Sequence, residues 1–206
     1  SDANPIVEFL TTKDLQKVRT FAAQLESMNE RRKFVTEQIT EAALSIIERK
    51  PEIQKSPSII LFNTEWEAGV LGIVANRLVE MFQKPTILLT GNDQEGYFGS
   101  GRSIDNLNLV KAIQQNSDFL THFGGHAMAA GLSLPAKNLP PFQESFNKTV
   151  LNLVGDTILE KVIQLDGFIE FESITFNFVK ELEKLSPFGP GNPAPIFASK
   201  EVVIKK

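Results

Sequence analysis

Apolar positions along the first fifty residues recur at helical spacing. Leu15, Val18, Ala22, Leu25 and Met28 make one stripe, which resumes through Val35, Ile39, Ala42 or Ala43, and Ile46. The pattern predicts one long helix over residues 12–50, with Thr12 as its N-cap, Asp14 in the first turn, and Pro51 stopping it after Arg49-Lys50. The stripe changes phase at Asn29-Glu30-Arg31-Arg32, where the sequence is most polar. A solvated turn of a helix that joins two bodies has this character.

Beyond residue 57 the period shortens. Ser58-Ile59-Ile60-Leu61-Phe62-Asn63 is a short apolar run rich in β-formers and predicts a buried strand. A helix follows from about Gly69 to Gln83, with Val70, Ile73, Val74, Leu78 and Met81 on one face. Residues 85–90 read as a second strand, and the turn Gly91-Asn92-Asp93 leads to a third over 96–100. Strand, helix, strand in this order implies parallel pairing under a crossover. Residues 106–121 predict an amphipathic helix on Leu107, Leu109, Val110 and Ile113. Residues 127–134 predict a strand closed by Pro135, in which Ala129, Ala130 and Gly131 leave room for another backbone or a ligand to approach. A helix over 142–154, entered through Pro140-Pro141, places Phe142, Phe146, Val150 and Leu153 on the sheet. Past Gly155-Asp156 come a strand-like 162–171, a helix over 175–185, a Pro/Gly loop over 186–195 that reads as a rigid connector, and a last strand over 196–204. The expected class is α/β: a mixed sheet flanked by helices over 53–155, preceded by a long linker helix in 1–52 and followed by a partial, strand-containing segment in 156–206. One helix with two strands is thin for independent stability.

At 206 residues the chain holds one generous domain or slightly more. A net charge of −4 and a pI of about 5.3 argue against binding nucleic acid through bulk charge, so any such contact must be local. The absence of cysteine removes disulfides, thiolate nucleophiles and cysteine zinc sites together, and fits a cytoplasmic protein. No apolar run approaches the roughly 18 residues of a membrane span and no basic-then-apolar leader opens the chain, so no membrane partner is expected.

Two glycine-dense stretches carry the candidate chemistry. Tyr97-Phe98-Gly99-Ser100-Gly101-Arg102-Ser103 and Phe123-Gly124-Gly125-His126-Ala127-Met128-Ala129-Ala130-Gly131 lie about one helix apart. Both read as turns, and the first follows a predicted strand end, where ligands of open α/β sheets collect. Glycine permits positive φ and close backbone approach, and successive amides in such turns form nests for phosphate oxygens. Arg102 adds a planar cationic fork and His126 a donor whose charge responds to pH. His122 and His126 are the only histidines, and Gly124-Gly125 breaks any helix that would align them. With no Asp/His cluster at ligand spacing, neither a metal ligand nor a catalytic residue is expected here. Trp66, before a helix with an apolar side, reads as a packing residue.

Gly-Ser-Gly-Arg-Ser followed by Gly-Gly-His-x-x-Ala-Ala-Gly resembles the DHH-associated domain of the DHH phosphoesterase superfamily. The stretches at 66–78 and 187–195 are similar to its RecJ branch of single-strand-specific 5′ to 3′ DNA exonucleases. The Asp-His-His triplet that names the superfamily is absent. The resemblance implies that this stretch is the associated domain and the start of an OB-like domain, without the DHH domain that holds Mn²⁺ or Mg²⁺, and so is inactive alone. Ser100 and Arg102 match positions that contact a terminal or scissile phosphate, and His126 matches a phosphate ligand. Gly99, Gly101, Ser103, Gly124 and Gly125 complete the implied cradle. Asn29-x-x-Arg32 matches a recurrent feature of the linker helix, which would turn Arg32 to the inter-domain cleft. Glu67 departs from the histidine or asparagine common at its position. The implied partners are single-stranded DNA and the missing DHH domain of the same chain, with no oligomer expected. An oligoribonucleotide or cyclic-dinucleotide phosphodiesterase, and a regulatory domain that binds no nucleic acid, stay open as alternatives.

Overall fold

In the computed structural model, which describes residues 4–155, 164–189, 191–200 and 202, the chain divides into two units, Ser1–Leu159 and Glu160–Lys206. The first unit is built on a five-stranded sheet. Its strands are β1 (Ile59–Phe62), β2 (Thr86–Asn92), β3 (Gly96–Arg102), β4 (His122–Gly125) and β5 (Ala129–Leu134), in the order β1-β2-β3-β5-β4. β1 and β2 are parallel and the remaining pairs antiparallel, so the sheet is mixed.

Strand alternation sends side chains to two faces, and each face has its own core. On one, Ile60, Ile87, Leu89, Tyr97, Ala130, Leu132 and Leu134 pack with Leu109, Ala112 and Ile113 of the helix at Leu109–Gln114, and with Phe142, Phe146 and Val150 of the helix at Leu139–Val154. On the other, Ile59, Leu61 and Leu88 lie beneath Val70, Leu71, Val74, Ala75 and Leu78 of the helix at Ala68–Phe82, with Ile39, Ala43 and Ile47 of the long helix beyond. In chain order the helices are α1 (Asn4–Thr11), α2 (Leu15–Arg49), α3 (Pro51–Lys55), α4 (Ala68–Phe82), α5 (Leu109–Gln114) and α6 (Leu139–Val154). Trp66 is buried in the α2/α4 core, as a packing residue should be.

Several elements differ from the sequence reading. The chain breaks between α1 and α2, and the cap of α2 is Asp14, whose Oδ1 accepts from the amides of Gln16 (2.9 Å) and Lys17 (3.4 Å). Thr12 instead accepts from the Asp14 amide. A carboxylate serves here better than a hydroxyl because it also answers the positive end of the helix. Pro51 does not merely stop α2 but opens α3 at a first-turn position, where its missing N–H costs nothing. The leading part of the α2 stripe is exposed, Leu15 at 74% and Met28 at 68%, and burial begins only at Thr36. α4 buries Leu71, Ala75 and Val79 and leaves Ile73 and Met81 outside. It is apolar nearly all round, so periodicity alone could not choose its inner face. α5 is six residues long, capped by Asn108 at the Lys111 amide, and the remainder of the expected helix includes a single 3₁₀ turn at Ser117–Phe119. α6 starts at Leu139, and Leu153 is exposed.

In the second unit β6 (Gly167–Phe168) pairs in parallel with β7 (Phe197–Ala198), and α7 (Phe176–Glu183) is capped by Thr175, whose Oγ1 accepts from the Phe178 amide. Within the described residues both expected strands shrink to two residues; the parts of those readings at 162–163, 201 and 203–204 lie outside the described residues. Asn192 ties the connector loop together, its Nδ2 donating to the carbonyls of Leu185 (2.9 Å) and Pro187 (3.0 Å). Among the described residues no helix is long and apolar enough to cross a membrane.

Candidate phosphate site on the open half of the sheet

α4 packs on β2 and β3, and the same face of the sheet continues past it without cover. Gly131 on β5 and His122 and Gly124 on β4 are exposed there. Paired residues of antiparallel strands share a face, so the register lays out the open half in rows. Phe98, Ser133 and His122 form one row, and Ser100, Gly131 and Gly124 the next. Arg102 pairs with Ala129, whose carbonyl accepts from the His126 amide at 2.7 Å. Arg102 and the His126 turn therefore lie at one end of the shelf, two strand spacings or ~10 Å apart.

Arg102 is held from within its own strand. Its Nη1 donates to Ser100 Oγ at 3.0 Å and to the Gly101 carbonyl at 2.8 Å. The guanidinium rests against Gly72 of α4, where a Cβ would collide with Nη2 and stand 3.1 Å from Ser100 Oγ. Gly72 is the residue that lets Arg102 lie over the sheet. No carboxylate pairs with this arginine among the described residues, and its Nε and Nη2 make no further hydrogen bond. A half-buried guanidinium with an orienting hydroxyl and spare donors is suited to a phosphate oxygen pair.

The two glycine stretches do not form the expected nests. Residues 99–102 lie inside β3, and their pairing registers run into β2 and β5, so this is neither a turn nor a site beyond a strand end. Gly99 is required because a Cβ would be driven into the Leu88 carbonyl oxygen, and Gly101 faces Leu109 and Ile87 in the core. Ser103 is buried and committed: its hydroxyl donates to the Leu107 carbonyl at 2.7 Å and its amide to Met128. Of the second stretch, Gly124 is in β4 with open space around it, and Gly125, at φ +148°, begins the exposed turn that carries His126. The His126 side chain makes no hydrogen bond among the described residues, and the turn is held through its backbone, the His126 amide donating to the Ala129 carbonyl.

Arg32 sits elsewhere. Its Nη2 donates to Asn29 Oδ1 at 2.7 Å, in a groove of about 520 Å³ that it lines with Met28, Val35, Glu67 and Gly69 between α2 and the start of α4. Glu67 there pairs with Arg31 at 3.0 Å. Gly72 and Phe98 were not singled out as site residues from sequence. Gly72 would have emerged from noticing that a glycine in an apolar helix marks close approach.

Among the described residues no three of His, Cys, Asp or Glu come together as a divalent metal would need.

Residues 55–152 match the family model of the DHHA1 domain, and residues 165–206 that of the RecJ OB domain. The chain is 34% identical over 194 residues to the single-stranded-DNA-specific exonuclease RecJ of Bacillus subtilis, covering 94% of this chain and 24% of that protein. It is 31% identical to RecJ of Haemophilus influenzae, over 93% of this chain and 34% of that one. The chain thus spans about a quarter to a third of the length of these relatives. The crystal structure of RecJ in complex with Mn²⁺ from Thermus thermophilus superposes with a TM-score of 0.82 at 26% identity, over 96% of this chain and 28% of that chain. Arg102, Ser100, Gly72 and the His126 turn all fall within the DHHA1 match, and the chain is RecJ-like, with a DHHA1 domain followed by a RecJ OB domain.

Proposed function

We propose that the chain is the substrate-gripping part of a metal-dependent, 5′ to 3′ single-strand-specific DNA exonuclease acting in DNA repair and recombination in the cytoplasm. The observation that carries this reading is Arg102, unpaired with any carboxylate among the described residues and held by Ser100 and Gly72 at the margin of an open shelf. The anionic partner is a phosphate of single-stranded DNA. Ser100 and Arg102 bind it, the shelf of Gly131 and Gly124 lets the sugar-phosphate chain approach the sheet, and His126 adds a donor from its turn. Gly99 and Gly101 shape the strand that presents these groups, and Arg32 contacts the substrate path from the α2 groove.

In this reading residues 1–52 link two domains, 53–155 bind substrate and 156–206 open an OB-like domain. Mn²⁺ or Mg²⁺ supplies the activated water when bound. Its ligands belong to a DHH domain outside this chain, and the chain alone does not hydrolyse DNA. The protein works as a monomer. The RecJ OB match favours this reading over a small oligoribonucleotide or cyclic-dinucleotide phosphodiesterase.

The test is titration of a fluorescent 5′-phosphorylated oligonucleotide at low salt, beside its 5′-hydroxyl twin and an Arg102→Ala variant. Charge-assisted bonds contribute about 1.5 to 3 kcal/mol each, so losing the arginine should weaken the phosphorylated strand by about tenfold to a hundredfold. Equal affinity for the two strands in the parent chain would sink the terminal-phosphate assignment.

A further inference from the structure

Phe98 is a large apolar side chain left 47% exposed on the strand that carries the phosphate-binding groups. It shares a face with Ser100 and Arg102 by strand alternation, and its row continues through Ser133 to His122. Packing does not explain it. The neighbouring Tyr97 is buried on the other face, stacked on Phe62 with ring centroids 3.8 Å apart, while Phe98 points to the side that α4 leaves open. Arg102 folds back to Ser100 Oγ, so its guanidinium lies about two residues, or ~7 Å, from the Phe98 position. That is the reach of one nucleotide from its phosphate to its base.

What lies beyond Phe98 favours a base over a further phosphate. Phe98 forms one wall of a cleft of about 480 Å³ whose other walls include Thr121, Ser133 and Lys137, and the hairpin residues Asp93 and Glu95. Asp93 accepts from the Tyr97 hydroxyl at 2.5 Å and Glu95 from Asn92 Nδ2 at 3.1 Å, so both carboxylates are fixed at the rim. These two carboxylates outnumber the single ammonium of Lys137 in the lining, a balance that disfavours a second phosphate. The hydroxyls of Thr121 and Ser133 can donate to or accept from the edge of any nucleobase.

We infer that Phe98 is a stacking platform for a nucleobase next to the phosphate held by Ser100 and Arg102, with Thr121 and Ser133 facing the edge of that base. This rests on the phosphate reading above and deepens it: the open half of the sheet takes a nucleotide, not a bare phosphate. Stacking is indifferent to base identity because every base offers a π-face, so the subsite grips without selecting sequence.

The experiment uses the full 206-residue chain and a 5′-phosphorylated tetranucleotide, beside the same tetranucleotide with its first two bases removed. Phe98→Ala should weaken the intact ligand about tenfold, the order expected for one lost base-stacking contact, and leave the abasic ligand unchanged. Phe98→Tyr should restore the intact ligand. Equal loss on both ligands, or no loss on either, overturns the stacking role. An Arg102→Ala arm separates the two readings. Phosphate dependence that persists while Phe98 is inert removes only the stacking role. Binding of neither phosphorylated ligand to the parent chain overturns both.

Discussion

One face of one sheet is finished in two ways. Over β1 and β2 it carries Ile59, Leu61 and Leu88, sealed beneath α4 and α2; over β3 it carries Ser100 and Arg102 at the margin of α4, and over β5 and β4 Gly131 and Gly124 lie exposed. The hydrogen-bonded ladder is continuous across both halves, so the backbone does not make the difference. The open half can be bare because its strands are anchored from behind, through Tyr97, Ala130, Leu132 and Leu134 packed on α5 and α6. Packing falls to one set of alternate residues of these strands and the proposed binding groups to the other, and substitutions on β3 should follow that alternation.

The largest effect is expected at Gly99, which faces backbone rather than solvent. Gly99→Val forces a side chain into the Leu88 carbonyl, and a loss of about 3 kcal/mol or more should show as a collapsed denaturation midpoint. Leu88→Ala, in the sealed half, empties a fully buried site and should cost about 2 to 5 kcal/mol by the same measurement. In the open half, Ser100→Ala and Gly124→Ala should each stay within about 0.5 kcal/mol, since nothing lies within 4 Å of a Cβ at Gly124. Ser100→Ala should nonetheless weaken the phosphorylated oligonucleotide, because Arg102 loses the hydroxyl that aims it. A Ser100→Ala chain as destabilised as Leu88→Ala would end the division between the halves.

Much of the fold was legible in the sequence. The β1-α4-β2 unit follows from periodicity, and the two glycine stretches, read as neighbours from motif, do lie in one sheet with Arg102 and the His126 turn at the same end. The local form of the glycine stretches was not legible. Gly-Ser-Gly-Arg has the composition of a turn, and only the tertiary pairing of β3 with β2 and β5 shows that its glycines serve strand contact at Leu88, Ile87 and Leu109. Ser103 was misplaced for a related reason. Alternation within β3 does not reach it, and its hydroxyl is taken by the Leu107 carbonyl in a loop expected to be helix. Each half of the α2 stripe, before and after the phase change at residues 29–32, has ordinary amphipathic spacing, yet only the second half finds a core within the described residues.

The smallest effect, and the finest test of the boundary between the halves, is expected at Gly72. It belongs to α4, the lid of the sealed half, but touches Arg102 of the open one. Alanine in a helix interior is favoured over glycine by up to ~1 kcal/mol. Against this, the new methyl meets the tip of a flexible side chain, which can swing away at little cost in stability. Gly72→Ala should therefore leave the denaturation midpoint unchanged or slightly raised while displacing the guanidinium from Ser100 Oγ. Affinity for the 5′-phosphorylated strand should fall severalfold, and the 5′-hydroxyl strand should be unaffected. A loss shared by both strands would mean that the methyl disturbs the shelf itself. Unchanged affinity for the phosphorylated strand would mean that Arg102 reaches its phosphate without resting on α4, and that the sealed half does no more for the open one than hold up its first strand.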